Sequence, residues 1–257
     1  MTDREDQPHF HRLSLVVPCY NEAKRLNIEK FRAFLSQPGC TRLVFVDDGS
    51  TDRTVEVLEA LRDGFDDRAE ILRCQVNGGK AEAVRLGLLH CLRTLSQDFV
   101  GFWDADLATP LETIPRFIAV LEGDPEIQMV FGARVKLLGR SVIRKESRHY
   151  LGRIFATVVS WMLKLPIYDT QCGAKIFRAN DSLIQVLDQP FLSRWVFDVE
   201  ILARLLRSYQ GNTAALAQAI YEYPLECWTD IEGSKVRPSD FLTAILDVAR
   251  IRRTYLS

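Results

Sequence analysis

The sequence predicts an α/β chain in which a mostly parallel central sheet is flanked by helices. Three observations carry that prediction. Short apolar runs alternate with segments of helical period from residue 13 to about residue 133, the rhythm that sets parallel strands beside crossover helices. One of those segments, 79–95, carries Ala81, Val84, Leu88, Cys91, Leu92 and Leu95, a stripe of period 3.6. Three of the apolar runs end in polar clusters, the place where an open α/β sheet binds its ligands.

The strands expected in the first half are 13–18, 42–47, 69–73, 99–103 and 128–132. Helices are expected near 27–36, 51–62, 79–95 and 110–122. The last opens Thr109-Pro110-Leu111-Glu112, combining an N-cap hydroxyl, a proline at the first helical position and a capping-box glutamate. Beyond about residue 140 the alternation weakens. Segments 146–165 and 197–209 read as amphipathic helices, 174–177 as a short strand, 216–224 as a late strand and 238–253 as a closing helix. No repeat or low-complexity linker intervenes, so 13–257 is expected to be a single domain behind a flexible tail, 1–12.

Composition excludes several classes. A net charge of −1 leaves no basic field, so nucleic acid is not an expected partner. Cys19, Cys40, Cys74, Cys91, Cys172 and Cys227 are scattered without a C-x-x-C pair, and the four histidines lack ligand spacing. Reduced, buried thiols of a cytoplasmic protein are expected, not a disulfide or zinc framework. The first twelve residues are too polar for a signal peptide. The longest mostly apolar run, 154–163, has ten residues, whereas a spanning helix needs about 20. No transmembrane span is expected.

The chemistry lies in the polar strand ends. Asp104 and Asp106 follow the run Phe99-Val-Gly-Phe-Trp103. Residues i and i+2 of a strand share a face about 7 Å apart, so the two carboxylates could converge on one hard cation that keeps positions open for phosphate oxygens. In a chain with 34 acidic residues, a solvated acid pair is the commoner reading of this doublet alone. At Val17-Pro18-Cys19-Tyr20-Asn21-Glu22, Pro18 and Asn21 break the strand and Tyr20 offers a face to a base. A plain strand-to-helix turn explains the same residues. At Val46-Asp47-Asp48-Gly49-Ser50-Thr51-Asp52, Gly49 permits a sharp turn and Ser50 or Thr51 caps the next helix. Two adjacent carboxylates ending so apolar a strand also need donors, which a base or ribose would supply. Asn77-Gly-Gly-Lys80 is too short for a P-loop. Lys80 could sit near a phosphate or hold a strand-end aspartate, or it is simply solvated.

Together Val-Val-Pro-Cys-Tyr-Asn-Glu (16–22), Val-Asp-Asp-Gly-Ser-Thr-Asp (46–52), Asn-Gly-Gly-Lys (77–80) and Asp-Ala-Asp-Leu (104–107) resemble glycosyltransferase family 2, inverting enzymes with a GT-A (Rossmann-like) fold. In the second half, 169–177, 194–201 and 228–235 are similar to the family's dolichyl- and polyprenyl-phosphate glycosyltransferases. The likeness runs from about residue 13 to 253. It implies a metal-dependent hexosyltransferase, with UDP-glucose the favoured nucleotide-sugar donor and a polyprenyl phosphate the acceptor. Pro18, Tyr20, Glu22 and Asp48 would contact the nucleotide, and Lys80, Asp104 and Arg134 would complete the donor site. Asp104 and Asp106 would hold Mg²⁺ or Mn²⁺ on the diphosphate. The catalytic set would be Asp106, Asp198 and Lys235, with 13–133 the nucleotide-sugar half and 134–257 the acceptor half. One departure is Ala108, where the polyprenyl-phosphate mannose synthases often carry a glutamine ligand.

A phosphate acceptor is already ionised near neutral pH and needs cations more than a base. Segment 134–153 supplies Arg134, Lys136, Arg140, Arg144, Lys145, Arg148 and Arg153 against one acid, Glu146. With the apolar run that follows, it suits docking on an anionic membrane surface at the cytosolic face. Core packing of that run is the equal alternative. Without a span of its own, the chain would reach lipid by its surface or through a separate membrane-protein partner. With a hydroxyl acceptor, Asp198 is the leading base. Otherwise it complements a helix dipole. A soluble acceptor, or nucleotide-sugar binding without catalysis, stands as the alternative function.

Overall fold

The computed structural model describes residues 12–143, 146–230 and 238–256, with only the backbone course given for 143, 146–151 and 238–242. Within them the alternation of the first half becomes β1 (Leu13–Cys19), α1 (Ile28–Leu35), β2 (Thr41–Asp47), α2 (Thr54–Arg62), β3 (Ala69–Arg73), α3 (Lys80–Thr94), β4 (Phe99–Trp103), α4 (Ile114–Gly123) and β5 (Met129–Ala133). The second half adds β6 (Ser141–Ile143), α5 (Glu146–Leu163), β7 (Ala174–Arg178), α6 (Asp181–Leu187), α7 (Phe197–Ser208), α8 (Thr213–Gln218), β8 (Ile220–Pro224), β9 (Cys227–Thr229) and α9 (Pro238–Tyr255).

Seven strands form one sheet in the order β3-β2-β1-β4-β7-β5-β8. All run parallel except β7, which is antiparallel to both β4 and β5. The sheet grows one way from β1 to β3 and the other way from β1 to β4. That reversal opens a crevice at the carboxyl ends of β1, β2 and β4. Strands β6 and β9 pair separately in parallel.

The strands are apolar along their whole length because both faces of the sheet are covered. On one face α3 packs with α5, α6, α7 and α9, and its stripe Ala81, Val84, Leu88 and Cys91 is buried with Val16 and Val46. On the other, α1, α2 and α4 bury Phe31, Leu35, Leu58, Leu61, Phe117 and Leu121 against Leu15, Phe45 and Trp103. Asn27 caps α1 by accepting the Lys30 N–H at 2.9 Å.

Several local expectations are corrected. Pro18 does not end β1; it pairs with Val46 in register, beyond the last β4 partner at Val16, where one edge of the strand is open. Thr109 is buried and caps nothing, and its carbonyl accepts the Trp103 indole N–H at 2.8 Å. A 3₁₀ turn, Leu111–Thr113, precedes α4 instead of a capping box. Neither Ser50 nor Thr51 caps α2: Asp52 accepts the Thr54 N–H at 3.0 Å, while Ser50 accepts that of Asn21 at 3.0 Å. The late strand is preceded by α8, and α6 was not expected at all; elements of six and seven residues are too short to display a period.

The thiols are not uniformly buried. Cys19, Cys91 and Cys172 are buried, Cys74 is half-buried, and Cys40 and Cys227 are exposed. Burial pushes the Cys91 thiol up to about 12. Its thiolate fraction at pH 8 is then roughly a thousandfold below that of an ordinary thiol. Timed alkylation at pH 8 with peptide mapping is expected to label Cys40 and Cys227 first and Cys91 only on unfolding. Equal labelling of Cys91 in the native protein would contradict this burial.

Candidate active site

Side-chain hydrogen bonds tie the loops after β1 and β2 into one rim. Asn21, in the left-handed region at φ +50°, accepts the N–H groups of Thr51 and Asp52 at 2.9 and 3.3 Å. The Glu22 N–H donates to Thr54 Oγ1 at 2.8 Å. Gly49 turns the β2 loop at φ +67°, and a Cβ there would lie 2.9 Å from the Asn77 nitrogen. Only glycine suits both constraints. Pro18 and Tyr20 lie on this rim, with Tyr20 36% exposed at its mouth.

Asp48 reaches across to the loop before α3. Its two oxygens accept the N–H groups of Gly78 and Gly79, each at 2.8 Å. Burial raises the Asp48 carboxyl despite those donors. From the other side Arg194 donates to Gly78 O at 3.0 Å and to Asn77 Oδ1 at 2.6 Å. Held between a carboxylate and a guanidinium, the loop delivers Lys80 as the first residue of α3.

Lys80 Nζ meets Asp104 Oδ1 at 2.5 Å. Burial works to lower its ammonium, but Asp104, Asp198 and Asp106 outweigh burial and raise it. Asp104 and Asp106 converge through a turn rather than through strand alternation. Strand β4 stops at Trp103, the Leu107 N–H returns to Asp104 O at 3.1 Å, and Leu107 sits at φ +54°. A leucine in that region is uncommon, and such strain concentrates at functional sites. Asp106 accepts the Ala108 N–H at 3.1 Å and faces Arg25 at 3.7 Å. Its carboxyl is raised by burial first and by Asp104 second.

Strand β7 forms the floor. The Asp104 N–H donates to Gly173 O at 2.9 Å, and a Cβ on Gly173 would fall 1.9 Å from Asp104 Oδ2. Beneath lies Lys175, 1% exposed, donating to Thr170 O at 3.0 Å and Cys172 O at 2.8 Å and paired with Asp198 at 3.1 Å. Asp198 begins α7 but is buried, and burial is the main reason its carboxyl is raised. Its partner is Lys175 and not merely a helix dipole. Glu200, two residues on, is buried in a separate network with Arg204 and Tyr255.

Arg134 closes the far side. It grips Asp169 with two N–H donors at 2.6 and 2.8 Å and stacks 5.3 Å from the Trp228 ring centre. Burial works against its charge, but Asp169 and, more weakly, Asp104 hold it protonated. Other cations of the basic segment are also committed: Arg140 lies 3.2 Å from Glu226, and Arg153 lies 3.6 Å from the Tyr168 ring centre. The free basic face expected of 134–153 is therefore smaller among the described residues; Lys136 is exposed.

Lys80, Asp104, Asp106, Arg134 and Asp198 thus form one electrostatically linked group, which Glu22 joins through Arg25 at 3.5 Å, with Pro18, Tyr20 and Asp48 on the adjoining strand ends. Lys235 lies outside the described residues. Sequence reasoning gave no site role to Arg25, Asp169, Gly173, Lys175 or Arg194, although the last four lie in segments 169–177 and 194–201 that carry the family resemblance. Of these Lys175 carried a signal, a lone lysine inside the apolar strand Ala174-Lys-Ile-Phe177. The two carboxylates suit a divalent ion. They are hard oxygen donors, burial and the neighbouring Asp104 both disfavour charge on Asp106, and glycine at 173 leaves room for the Asp104 carboxylate. Among the described residues no third His, Cys, Asp or Glu completes a cluster. Diphosphate oxygens and water would fill the remaining positions.

A sequence profile of the family described as Glycosyl transferase family 2 matches residues 14–183. The chain belongs to glycosyltransferase family 2. This glycosyltransferase is 31% identical to a dolichyl-phosphate beta-glucosyltransferase of Trichomonas vaginalis, over 93% of this chain and 72% of that one. It is 32% identical to the Drosophila melanogaster protein of that description, over 91% and 72%. Its fold is GT-A. It superimposes at TM-score 0.65, with 19% identity, on glucosyl-3-phosphoglycerate synthase of Mycobacterium tuberculosis in complex with Mn²⁺ and UDP-glucose, covering 95% of this chain and 79% of the other. No helix among the described residues is long and apolar enough to cross a membrane.

The Lys175–Asp198 pair under the glycosyltransferase site gives a stability test. Lys175→Ala leaves a buried carboxylate unpaired, and a loss of about 3–5 kcal/mol is expected in denaturant melts. Lys175→Met combined with Asp198→Leu should recover most of that loss. A single variant as stable as the parent would refute the pairing.

Proposed function

We propose that this glycosyltransferase moves glucose from UDP-glucose to a dolichyl or other polyprenyl phosphate, with inversion, at the cytosolic face of a membrane. The observation that carries the acceptor is the likeness to dolichyl-phosphate beta-glucosyltransferases over 93% and 91% of the chain. The donor reading is supported by the two carboxylates beside the cations Lys80, Arg25 and Arg134 at the sheet's crevice.

An acceptor phosphate oxygen forms the new bond to the anomeric carbon as the bond to the diphosphate oxygen breaks. The nucleoside diphosphate departs with the electron pair. A phosphate monoester is largely ionised at pH 7, so no side chain must remove a proton. Asp198, buried on Lys175, then acts by placing charge. Tyr20 offers a stacking face to the base, and Glu22 and Asp48 frame the nucleotide. Lys80 and Arg134 face the charge that gathers on the leaving group. Mg²⁺ or Mn²⁺ held by Asp104 and Asp106 would supply Lewis-acid neutralisation of that charge. The first half of the chain serves the donor and the second, with Arg134 and Lys235, the acceptor.

A lipid acceptor is further supported by apolar side chains left in solvent. Ile154, Val158 and Trp161 are 57%, 46% and 73% exposed at positions i, i+4 and i+7 of α5. Leu246 of α9 is 71% exposed, and Arg252 lies 5.7 Å from the Trp161 ring centre. An apolar stripe edged by cations suits the interface of an anionic bilayer.

The test is a donor panel of UDP-glucose, UDP-galactose, UDP-N-acetylglucosamine and GDP-mannose, offered with a short polyprenyl phosphate in anionic vesicles. Fastest release of UDP from UDP-glucose, dependent on the lipid, is expected; turnover only with a soluble acceptor would overturn the reading. Asp106→Ala is expected to abolish the Mn²⁺-dependent part of UDP-glucose binding in calorimetry. An affinity unchanged with and without metal would remove Asp106 from that role.

A further inference from the structure

Two cations claim the same carboxylate oxygen. Lys80 Nζ stands 2.5 Å from Asp104 Oδ1, on the aspartate that with Asp106 offers the donor set for a divalent ion. Oδ1 is otherwise buried and without a hydrogen-bond partner, and Lys80 is the cation in direct contact with it. The lysine is not fixed there by packing: about a third of its side chain is exposed, at 35%. Its backbone, by contrast, is held by the Asp48 and Arg194 clamp on Gly78 and Gly79. The ammonium can therefore swing on its four-carbon stem while its root stays in place. Asp104 has less such freedom, because its side chain is short and its N–H is tied to Gly173 O at 2.9 Å.

We propose that Lys80 is the internal stand-in for the divalent ion, occupying Asp104 until the donor's diphosphate draws it away. The inference rests on the metal reading above and adds an order to it. Without donor, a divalent ion must approach an oxygen already carrying an ammonium, and like charges that close repel. When a nucleoside diphosphate arrives, its anionic oxygens offer Lys80 a better partner, and Asp104 is released. Donor and ion then bind with positive coupling, which linkage makes reciprocal. The arrangement keeps the carboxylates neutralised in the resting protein and keeps the ion out of a site that holds no substrate.

Mn²⁺ titration followed by the electron paramagnetic resonance of the free ion, with and without UDP, tests this directly and needs no turnover. The wild-type protein is expected to bind Mn²⁺ at least about tenfold more tightly with UDP than without. Lys80→Met should bind Mn²⁺ alone about tenfold more tightly than wild type and lose most of the UDP effect. Lys80→Arg keeps a cation over Asp104 and should restore weak binding of the ion alone. A Lys80→Met protein with wild-type or weaker affinity for Mn²⁺ alone, beside a normal UDP-dependent complex in wild type, overturns the exchange and leaves the metal reading standing. Failure of the wild type to bind Mn²⁺ even with UDP overturns both.

Discussion

Everything at the carboxyl end of the sheet depends on how a cluster of buried and half-buried carboxylates is kept company. Asp104, Asp106 and Asp198 lie close enough to perturb one another, and burial disfavours charge on each of the last two. Unrelieved, such a cluster would protonate or open to water. The chain answers with Lys80 from above and Lys175 from below, and each lysine is fixed by a different part of the fold. Lys175 is immobile, buried between Phe102 and Phe131 and satisfied by two carbonyls. Lys80, about a third exposed, is the accessible member. One enclosed and one accessible cation neutralise this cluster from the core and from the crevice.

The rest of the architecture can be understood as what it takes to bring these groups together. Parallel strands β1, β2 and β4 align their carboxyl ends, and the reversal of strand order leaves a crevice there. The loops after β1 and β2 are stitched by Asn21, Ser50 and Thr54, so the protein's own hydrogen bonds hold the rim together. Asp48 and Arg194 join the first half of the chain to the second through the Asn77–Gly79 loop. Within the second half Arg134 and Asp169 make another tie, itself steadied by Glu222, which accepts the Tyr168 and Asp169 N–H groups.

Much of this was legible in the sequence because it rests on local pattern. The βαβ rhythm, the strand boundaries at 69–73 and 99–103, and the stripe of α3 follow from periodicity alone. So do the polar strand ends. What pattern cannot carry is tertiary competition for a group. Thr109 was expected to cap a helix, yet its carbonyl is taken by Trp103 and its side chain lies buried beside Cys172. Asp198 was expected to sit at a helix dipole, yet Lys175, 23 residues earlier on β7, claims it. The Asp104–Asp106 convergence was anticipated for the wrong reason, because a turn and not the strand's pleat sets it. Gly173 gave no sign of its importance. A glycine crowded by a carboxylate looks like any other until the two strands are laid together.

Strand β7 also fixes the order in which the site can come into being. Its neighbours β4 and β5 both precede it in the chain, and it pairs Trp103 with Ala174 and Met129 with Phe177. As the polypeptide leaves the ribosome, β1 to β4 can pair while β4 still has a bare edge. Asp104 then has its turn but neither its floor at Gly173 nor the lysine beneath. The carboxylate cluster is therefore complete only once β7 has paired, and until then β4 presents an unpaired edge. A late-closing sheet with its functional end at the seam ties the birth of the site to completion of the fold.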